Sequence, residues 1–357
     1  MQAGIVALAA GAALAPISSL TIERWFSTTV YPAIQRVVTP VSNLAPFALF
    51  DLLTVGAAAI LLVAIVRSSR RARRERRLRP LVEMLARIAT AAAVVYLVFL
   101  AIWGLNYRRL PMTERLAMSA GAPSSDRVVQ LGLDAVERLN TLYAEAHRVG
   151  WQAEPREHPP LLAAFALVQQ RLSDGPLAVP GHLKPSIYGT YFRWIGVDGM
   201  VNPFALEVLA NPDLLPFERP FVAAHEWAHL AGYADESEAN FVGWLTCLRA
   251  DVPAQYSGWL YLYWQVSGEL RGADREQLRD VLDVGPRRDI EAVLDRLRRG
   301  QLPLLRNASW RVYDQYLRAN RVEEGVRSYG EVITLILRAE FEEPWLPLRR
   351  TAAAPAP

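Results

Sequence analysis

His225-Glu226-Trp227-Ala228-His229, followed closely by Asp235-Glu236-Ser237-Glu238-Ala239-Asn240, concentrates metal-ligand chemistry in a chain that holds only five His and one Cys among 357 residues. On a helix, residues four apart stand about 40° apart around the axis and one turn apart along it, so both imidazoles can face one ion. Glu226, about 100° further round, can reach a water bound to that ion. The pattern H-E-x-x-H on a helix predicts a zinc hydrolase of the peptidase kind, with Glu226 as general base. The flanks Phe221-Val222-Ala223-Ala224 and Leu230-Ala231 are apolar, so the helix is expected to be buried and its polar residues to need partners.

A catalytic zinc takes three protein ligands and keeps one position for water, and three carboxylates follow the His pair. Gly232 permits a sharp turn, and Asp235 reads as the N-cap of a second helix with Glu238 completing a capping box. Glu236 is then free to point back, and it shares a helix face with Asn240, placed to bond a ligand His. The expected metal ligands are His225, His229 and Glu236, with Glu238 as the alternative third ligand and Asp235 behind it. The spacing H-E-x-x-H-x-x-G-x-x-D also fits a metzincin pattern with Asp for the last His. That class needs a Met-containing turn downstream, whereas the Met residues stand at 1, 84, 112, 118 and 200, all before the motif.

The elements that position these residues begin in lipid. The chain is 52% hydrophobic and 21% charged, and its mean hydropathy of +0.10 is high for a soluble enzyme. Three apolar stretches, 4–20, 45–66 and 88–105, are expected transmembrane helices, the second and third long enough to cross about 30 Å of hydrocarbon at about 1.5 Å per residue. The first is interrupted by Gly11 and Pro16; no Lys or Arg precedes it, so it reads as an uncleaved membrane helix rather than a signal peptide. Between the second and third lies an Arg-rich loop, 67–79, with eight Arg. The positive-inside rule assigns it to the cytoplasm and everything after about 105 to the other side, with Trp103 and Tyr107 anchoring the exit. Its rival reading, a nucleic-acid patch, is weaker because spans flank it directly, and the remainder of the chain is slightly acidic. No nucleic-acid partner is expected.

The predicted organisation is a membrane anchor over 1–107, an extracytoplasmic zinc-peptidase-like domain over 108–343, and a loose, disordered tail over 344–357. The fold class is mostly α: three membrane helices, then an α+β, gluzincin-like metallopeptidase domain with a small edge sheet. Helical periods cover 126–147, 160–172, 256–269, 274–299 and 310–337. Between 183 and 209 the pattern changes to short alternating runs, 188–195 and 199–204, placed to hold an extended substrate before the H-E-x-x-H helix. Tyr188 and Tyr191 could donate to a developing oxyanion, although core aromatics with hydroxyls at the surface are the preferred reading. His147, His158 and His182 stand apart as structural residues, and the single Cys247 reads as a buried helix residue that can form no intramolecular disulfide.

Taken together, Trp103-Gly104-Leu105-Asn106-Tyr107, Gly199-Met200-Val201-Asn202-Pro203-Phe204, the block from Pro220-Phe221 through Glu236-Ser237-Glu238-Ala239-Asn240-Phe241, Tyr313-Asp314-Gln315-Tyr316-Leu317 and Ser328-Tyr329 resemble the bacterial membrane proteins catalogued as domain of unknown function 3810. The resemblance implies a multi-pass inner-membrane protein with an H-E-x-x-H domain and an unassigned substrate. The Glu-x-Glu-Ala-Asn block is also similar to ImmA/IrrE-type and membrane CAAX-processing peptidases, whose ligand is the Glu four residues before the Asn or Asp. That likeness implies Glu236. The expected function is a membrane-anchored zinc metallopeptidase, with Zn2+ as cofactor and the lipid bilayer and an extracytoplasmic peptide or protein as partners. The alternative is a catalytically inactive, membrane-tethered envelope scaffold or binding protein whose structural zinc is completed by a fourth side chain such as Cys247 or Glu238.

Overall fold

The computed structural model describes residues 1–320, 331–343 and 345–350. The protein is mostly helical, with one small sheet. Helix α1 is Gln2–Leu14, α2 the continuous helical segment Ser19–Asn43, α3 Leu49–Glu75 and α4 Arg79–Ile102. Two of these, α3 and α4, are long and apolar enough to cross a membrane; their 27 and 24 residues reach about 40 and 36 Å.

The Arg-rich segment is less of a loop than expected. Arg67 to Glu75 continues α3, and the chain reverses only around Arg76, whose φ of 53° ends the helix. Arg is a good helix former, and the pairs Arg71–Glu75 (2.7 Å) and Arg79–Glu83 (2.9 Å) neutralise part of the charge one turn apart.

The expected first span, 4–20, is not one helix. Helix α1 stops before Pro16 after 13 residues, about 20 Å, and α2 leaves it at 103°. Among the described residues, a third crossing exists only if this bent pair makes one.

Both spanning helices meet the rest of the chain at the end away from the Arg turn. The first turn of α3 is capped by a distant carboxylate: Leu49 N and Phe50 N donate to Glu207 at 3.0 and 2.8 Å. Glu207 is fully buried and pairs with Lys184 at 2.8 Å, so the cap is fixed by an internal ion pair. At the far end of α4, Trp103 Nε1 donates to the carbonyl of His229 at 3.2 Å.

The remaining elements are α5 Ser125–Val149, α6 Pro159–Leu172, β1 Leu183–Lys184, α7 Gly189–Ile195, β2 Gly199–Asn202, β3 Glu207–Ala210, α8 Arg219–Leu230, α9 Glu236–Leu248, α10 Val252–Glu269, α11 Gly272–Asp280, α12 Val284–Gly300, α13 Pro303–Ala319 and α14 Glu331–Arg338. Helices α8, α9 and α10 pack together around Trp227, Phe241, Trp244 and Tyr256, all fully buried, and α5 lies along α10. The sheet has the order β1-β3-β2: β1 runs parallel to β3 (Leu183 opposite Val208) and β2 antiparallel (Gly199 opposite Ala210 through Asn202 opposite Glu207).

Three expectations are corrected here. The run 188–195 is a helix, α7, because Phe192 and Ile195 fall on one face, Phe192 against Ala48 and Leu209, and Gly196 closes it at φ 71°. The period over 274–299 divides into α11 and α12, which restarts behind Asp283. Residues 345–350, expected in a loose tail, are held: Pro347 bridges Phe341, Arg349 bridges Leu116, and Trp345 sets its ring edge-on to Trp244 at 4.9 Å. An aromatic side chain with apolar partners in reach has more to gain from burial than from chain freedom. Residues 321–330, which include Ser328-Tyr329, together with 344 and 351–357, lie outside the described residues.

Candidate metal centre

Helix α8 carries Pro220 in its first turn and is buried on nearly every face, with Trp227 Nε1 donating to the carbonyl of Gly181 at 2.8 Å. His225 and His229 therefore turn the same way, and their Nε2 atoms stand 3.1 Å apart. Past Leu230 the chain reverses at Gly232, φ 83°, where a Cβ would come within 3.1 Å of Asn106 Oδ1 and the Tyr31 ring. The reversal brings the carbonyl of Tyr233 to 2.7 Å from His229 Nδ1. Donation through Nδ1 leaves the Nε2 lone pair facing His225, the tautomer a metal ligand needs.

Asp235 caps α9 as expected, accepting from Ser237 N at 2.9 Å and Glu238 N at 3.1 Å. Glu236 then points back, with Oε2 3.4 Å from His225 Nε2 and 3.5 Å from His229 Nε2. Among the described residues this trio is the group of metal-ligating side chains close enough to hold one ion. Four-coordinate zinc with bonds of about 2.0–2.2 Å has ligand-to-ligand edges of about 3.3–3.6 Å, so the triangle has the size of one face of a tetrahedral site. Glu236 Oε2 and Glu226 Oε2 are both buried without a hydrogen-bond partner among the described residues, which is costly unless a cation or a donor completes them. The residues fit a zinc ion.

Of the three carboxylates weighed from the sequence, Glu236 joins the trio. Glu238 turns away: Oε1 accepts from Met112 N at 2.5 Å and Oε2 lies 3.3 Å from Arg115 Nη2, so it neither closes a capping box nor reaches the His pair. Asn240, expected to bond a ligand His, has a buried Nδ2 with no partner among the described residues, and the Tyr233 carbonyl takes that role. Tyr191 pairs with Ser309 Oγ at 2.8 Å and Tyr188 packs on Phe50, so neither stands at the trio. His147 and His158 pair with Asp289 (2.8 Å) and Asp251 (2.9 Å), and His182 lies beside Arg156. Cys247 is buried on α9.

Two tyrosines at the site carry no signal in the motif. Tyr313, on α13, donates to Glu236 Oε1 at 2.5 Å. Tyr261, on α10, stacks on Phe221 at 3.6 Å, and its buried hydroxyl has no partner among the described residues. Burial, and then the charge of Glu236, pushes the Tyr261 phenol well above its usual range, so it stays a neutral donor. Helix periodicity marks both as apolar-face residues; only the tertiary fold brings them to the carboxylates.

A cleft of about 400 Å³ opens beside His225, Glu226 and Tyr261. One wall is β2, where Gly199 approaches so closely that a Cβ would lie 2.4 Å from Glu226 Oε1. Gly199→Ala should therefore push the Glu226 carboxyl aside while leaving the trio intact. For a site that works through Glu226, the expected result is a fall in peptide turnover on the order of 10²-fold with metal content unchanged, and undiminished turnover would contradict this placement. Further along the cleft Arg296 is gripped by Glu218 (2.7 Å) and Asp198 (2.9 Å). Burial lifts Glu218 to about 7, with Arg296 opposing the rise and Asp198 adding to it.

Burial works against a charged His229, yet Glu236 beside it lifts the ring to about 9, and burial of Glu236 is in turn overcome by the His pair, which holds it well below the usual carboxylate range. In the metal-free protein this attraction stabilises the fold fully below the ordinary imidazole value and is lost as pH rises through about 9. Zinc needs the same nitrogen unprotonated, so binding near pH 7.5 should release about one proton and tighten roughly tenfold per pH unit up to that value. Calorimetry in buffers of different ionisation enthalpy measures the release; an enthalpy independent of buffer would contradict it.

A family model described as a protein of unknown function, DUF3810, matches residues 26–337. No curated protein matches the chain, and no solved structure does.

Proposed function

The chain belongs to the DUF3810 family, and from that premise we propose that it is a membrane-anchored zinc metallopeptidase, gluzincin-like in its ligand set, which hydrolyses peptide bonds of an extracytoplasmic peptide or protein. The observation that carries this reading is the triangle of His225, His229 and Glu236 with the buried carboxyl of Glu226 beside it at the head of a cleft. A bound zinc ion supplies Lewis acidity and lowers the pKa of a water.

Glu226 would accept a proton from a water attacking the peptide carbonyl and return it to the leaving amine, while His225, His229 and Glu236 would hold the ion. Burial pushes the Glu226 carboxyl up, against the pull of His225 and His229. Tyr261 stands in the cleft as a donor for the oxygen that gains charge. Strand β2 is the sheet's edge, so its backbone can pair with an extended peptide alongside Glu226.

The Arg turn and the metal trio lie at opposite ends of the α3–α4 hairpin, which under the positive-inside rule supports an extracytoplasmic site. A purely structural zinc would call for a fourth side chain. The candidates weigh against that reading, since Glu238 is engaged by Met112 N and Arg115 and Cys247 lies buried beside Gly258.

The test is full-length protein in lipid nanodiscs, loaded with zinc and incubated with a peptide library. Cleavage should appear, disappear on chelation and return with added zinc. A zinc-replete protein that cleaves nothing in the library would count against the proposal.

A further inference from the structure

Helix α2 starts where α1 ends and finishes where α3 begins. The last turns of α1 meet Arg108, just past the end of α4, through the carbonyls of Ala12 and Ala13 at 3.0 and 3.2 Å, while Leu44 leads within a few residues into the capped start of α3. Both ends of α2 therefore lie at the outer ends of the apolar helices, and its 103° turn away from α1 carries it across them.

One face of α2 is fully committed to the protein. Ile22, Phe26, Tyr31, Gln35, Thr39 and Ser42 are buried, with Tyr31, Gln35 and Thr39 donating to the carbonyls of Leu230, Val179 and Leu206 at 2.7–2.8 Å. The opposite face is apolar and uncovered: Trp25, Val37 and Val41 are 71%, 65% and 62% exposed, and Leu44 beyond the helix 83%. Arg24 and Arg36 are exposed as well, and the segment's single carboxylate, Glu23, is buried in a two-pronged pair with Arg109 at 2.9 Å. An apolar face with a Trp, basic residues and no exposed acid suits the boundary between acyl chains and anionic headgroups.

We propose that α2 lies in the plane of the membrane, its Trp25–Val37–Val41 face inserted at the headgroup and acyl boundary of the leaflet on the domain side. The occupant of this face is the bilayer itself, because exposed apolar side chains continue from Val41 through Leu44 and Phe47 to Leu52 and Leu53 on α3, a helix long and apolar enough to cross a membrane. Its other face grips the turn next to the metal trio: Tyr31 holds the Leu230 carbonyl, and Arg109, fixed by Glu23, donates to the Gly232 carbonyl at 2.8 Å. A lipid contact on α2 thus bears on the turn that aims His229. The inference does not depend on peptidase activity.

The test uses full-length protein with the buried native Cys247 retained, in vesicles of phosphatidylcholine and phosphatidylglycerol. Val37→Cys and Val41→Cys carry an environment-sensitive fluorophore, with Arg279→Cys on exposed α11 as reference. Emission from 37 and 41 should be blue-shifted relative to 279, quenched more by lipid brominated near the headgroup than by lipid brominated at the bilayer centre, and protected from aqueous iodide. Quenching by iodide equal to that at 279 would place the face in water and overturn the proposal. Stronger quenching from the bilayer centre would make α2 a re-entrant segment, and protection from both quenchers would mean that protein, such as a second copy of the chain, covers it; either result also overturns the proposal.

Discussion

Glu226→Gln is expected to lower peptide hydrolysis by about 10²–10⁴-fold while the protein keeps its zinc. Glu226 is 3% exposed, stands outside the His225–His229–Glu236 triangle, and has one carboxyl oxygen against Gly199 and the other without a partner. An amide of the same shape preserves the packing and the metal and removes only the capacity to accept a proton. The informative comparison is turnover divided by zinc content, measured by plasma mass spectrometry on the same samples. Equal turnover per zinc in both proteins would remove Glu226 from the mechanism.

Exchanging either neighbouring carboxylate should separate the metal ligand from the structural residue. Glu236→Gln replaces the one anionic member of the trio, so zinc affinity should fall by more than the roughly 10–100-fold typical of losing a residue that merely orients a ligand. Glu238→Gln should leave zinc affinity close to wild type, because its carboxyl serves Met112 N and Arg115 on the other side of α9. Competition titrations against a chromophoric chelator resolve the two. A larger loss in Glu238→Gln would make that residue the third ligand.

The metal trio is legible in the sequence because its geometry is local. Two His four apart on a helix must share a side, and a Gly turn with an Asp cap leaves only a few places for the next carboxylate to point. The roles of Glu238 and Asn240 are not legible there. Spacing offers each a neighbour close by in the chain, whereas the fold gives Glu238 the Met112 amide and gives His229 the Tyr233 carbonyl. Tyr261 and Tyr313 reach the site only through the packing of α10 and α13, which spacing in the chain does not encode.

The membrane segments show the same division. Hydropathy locates α3 and α4, since length and apolar content are all that a crossing requires. It merges α1 with the start of α2 because an apolar count ignores direction, and the bend at Pro16 is a backbone event. The amphipathic face of α2 is weak in a window average, since its buried side is partly polar and bonds to backbone carbonyls. The run at 188–195 alternates like a strand but closes as a helix because the α3 entrance supplies a pocket for Phe192.

The centre and the membrane are mechanically close. Trp103, at the exit of α4, donates to the carbonyl of His229, and Tyr31 and Arg109 hold the carbonyls on either side of Ala231. Three of the backbone groups around this turn are thus held by Tyr31, Trp103 and Arg109, side chains from the segments that flank the apolar helices. Buried hydrogen bonds of this kind are expensive to leave unmade, so the turn that carries His229 is built to fold together with these N-terminal segments.

X-ray absorption at the zinc edge on the zinc-loaded, full-length protein tests the central claim most directly, because a working site and a structural one differ in what fills the fourth position. Two imidazole nitrogens, one carboxylate oxygen and one solvent oxygen are expected at about 2.0–2.2 Å, with the imidazole signal halved in His229→Ala. A sulfur neighbour at about 2.3 Å, or a fourth protein ligand in place of solvent, would contradict it.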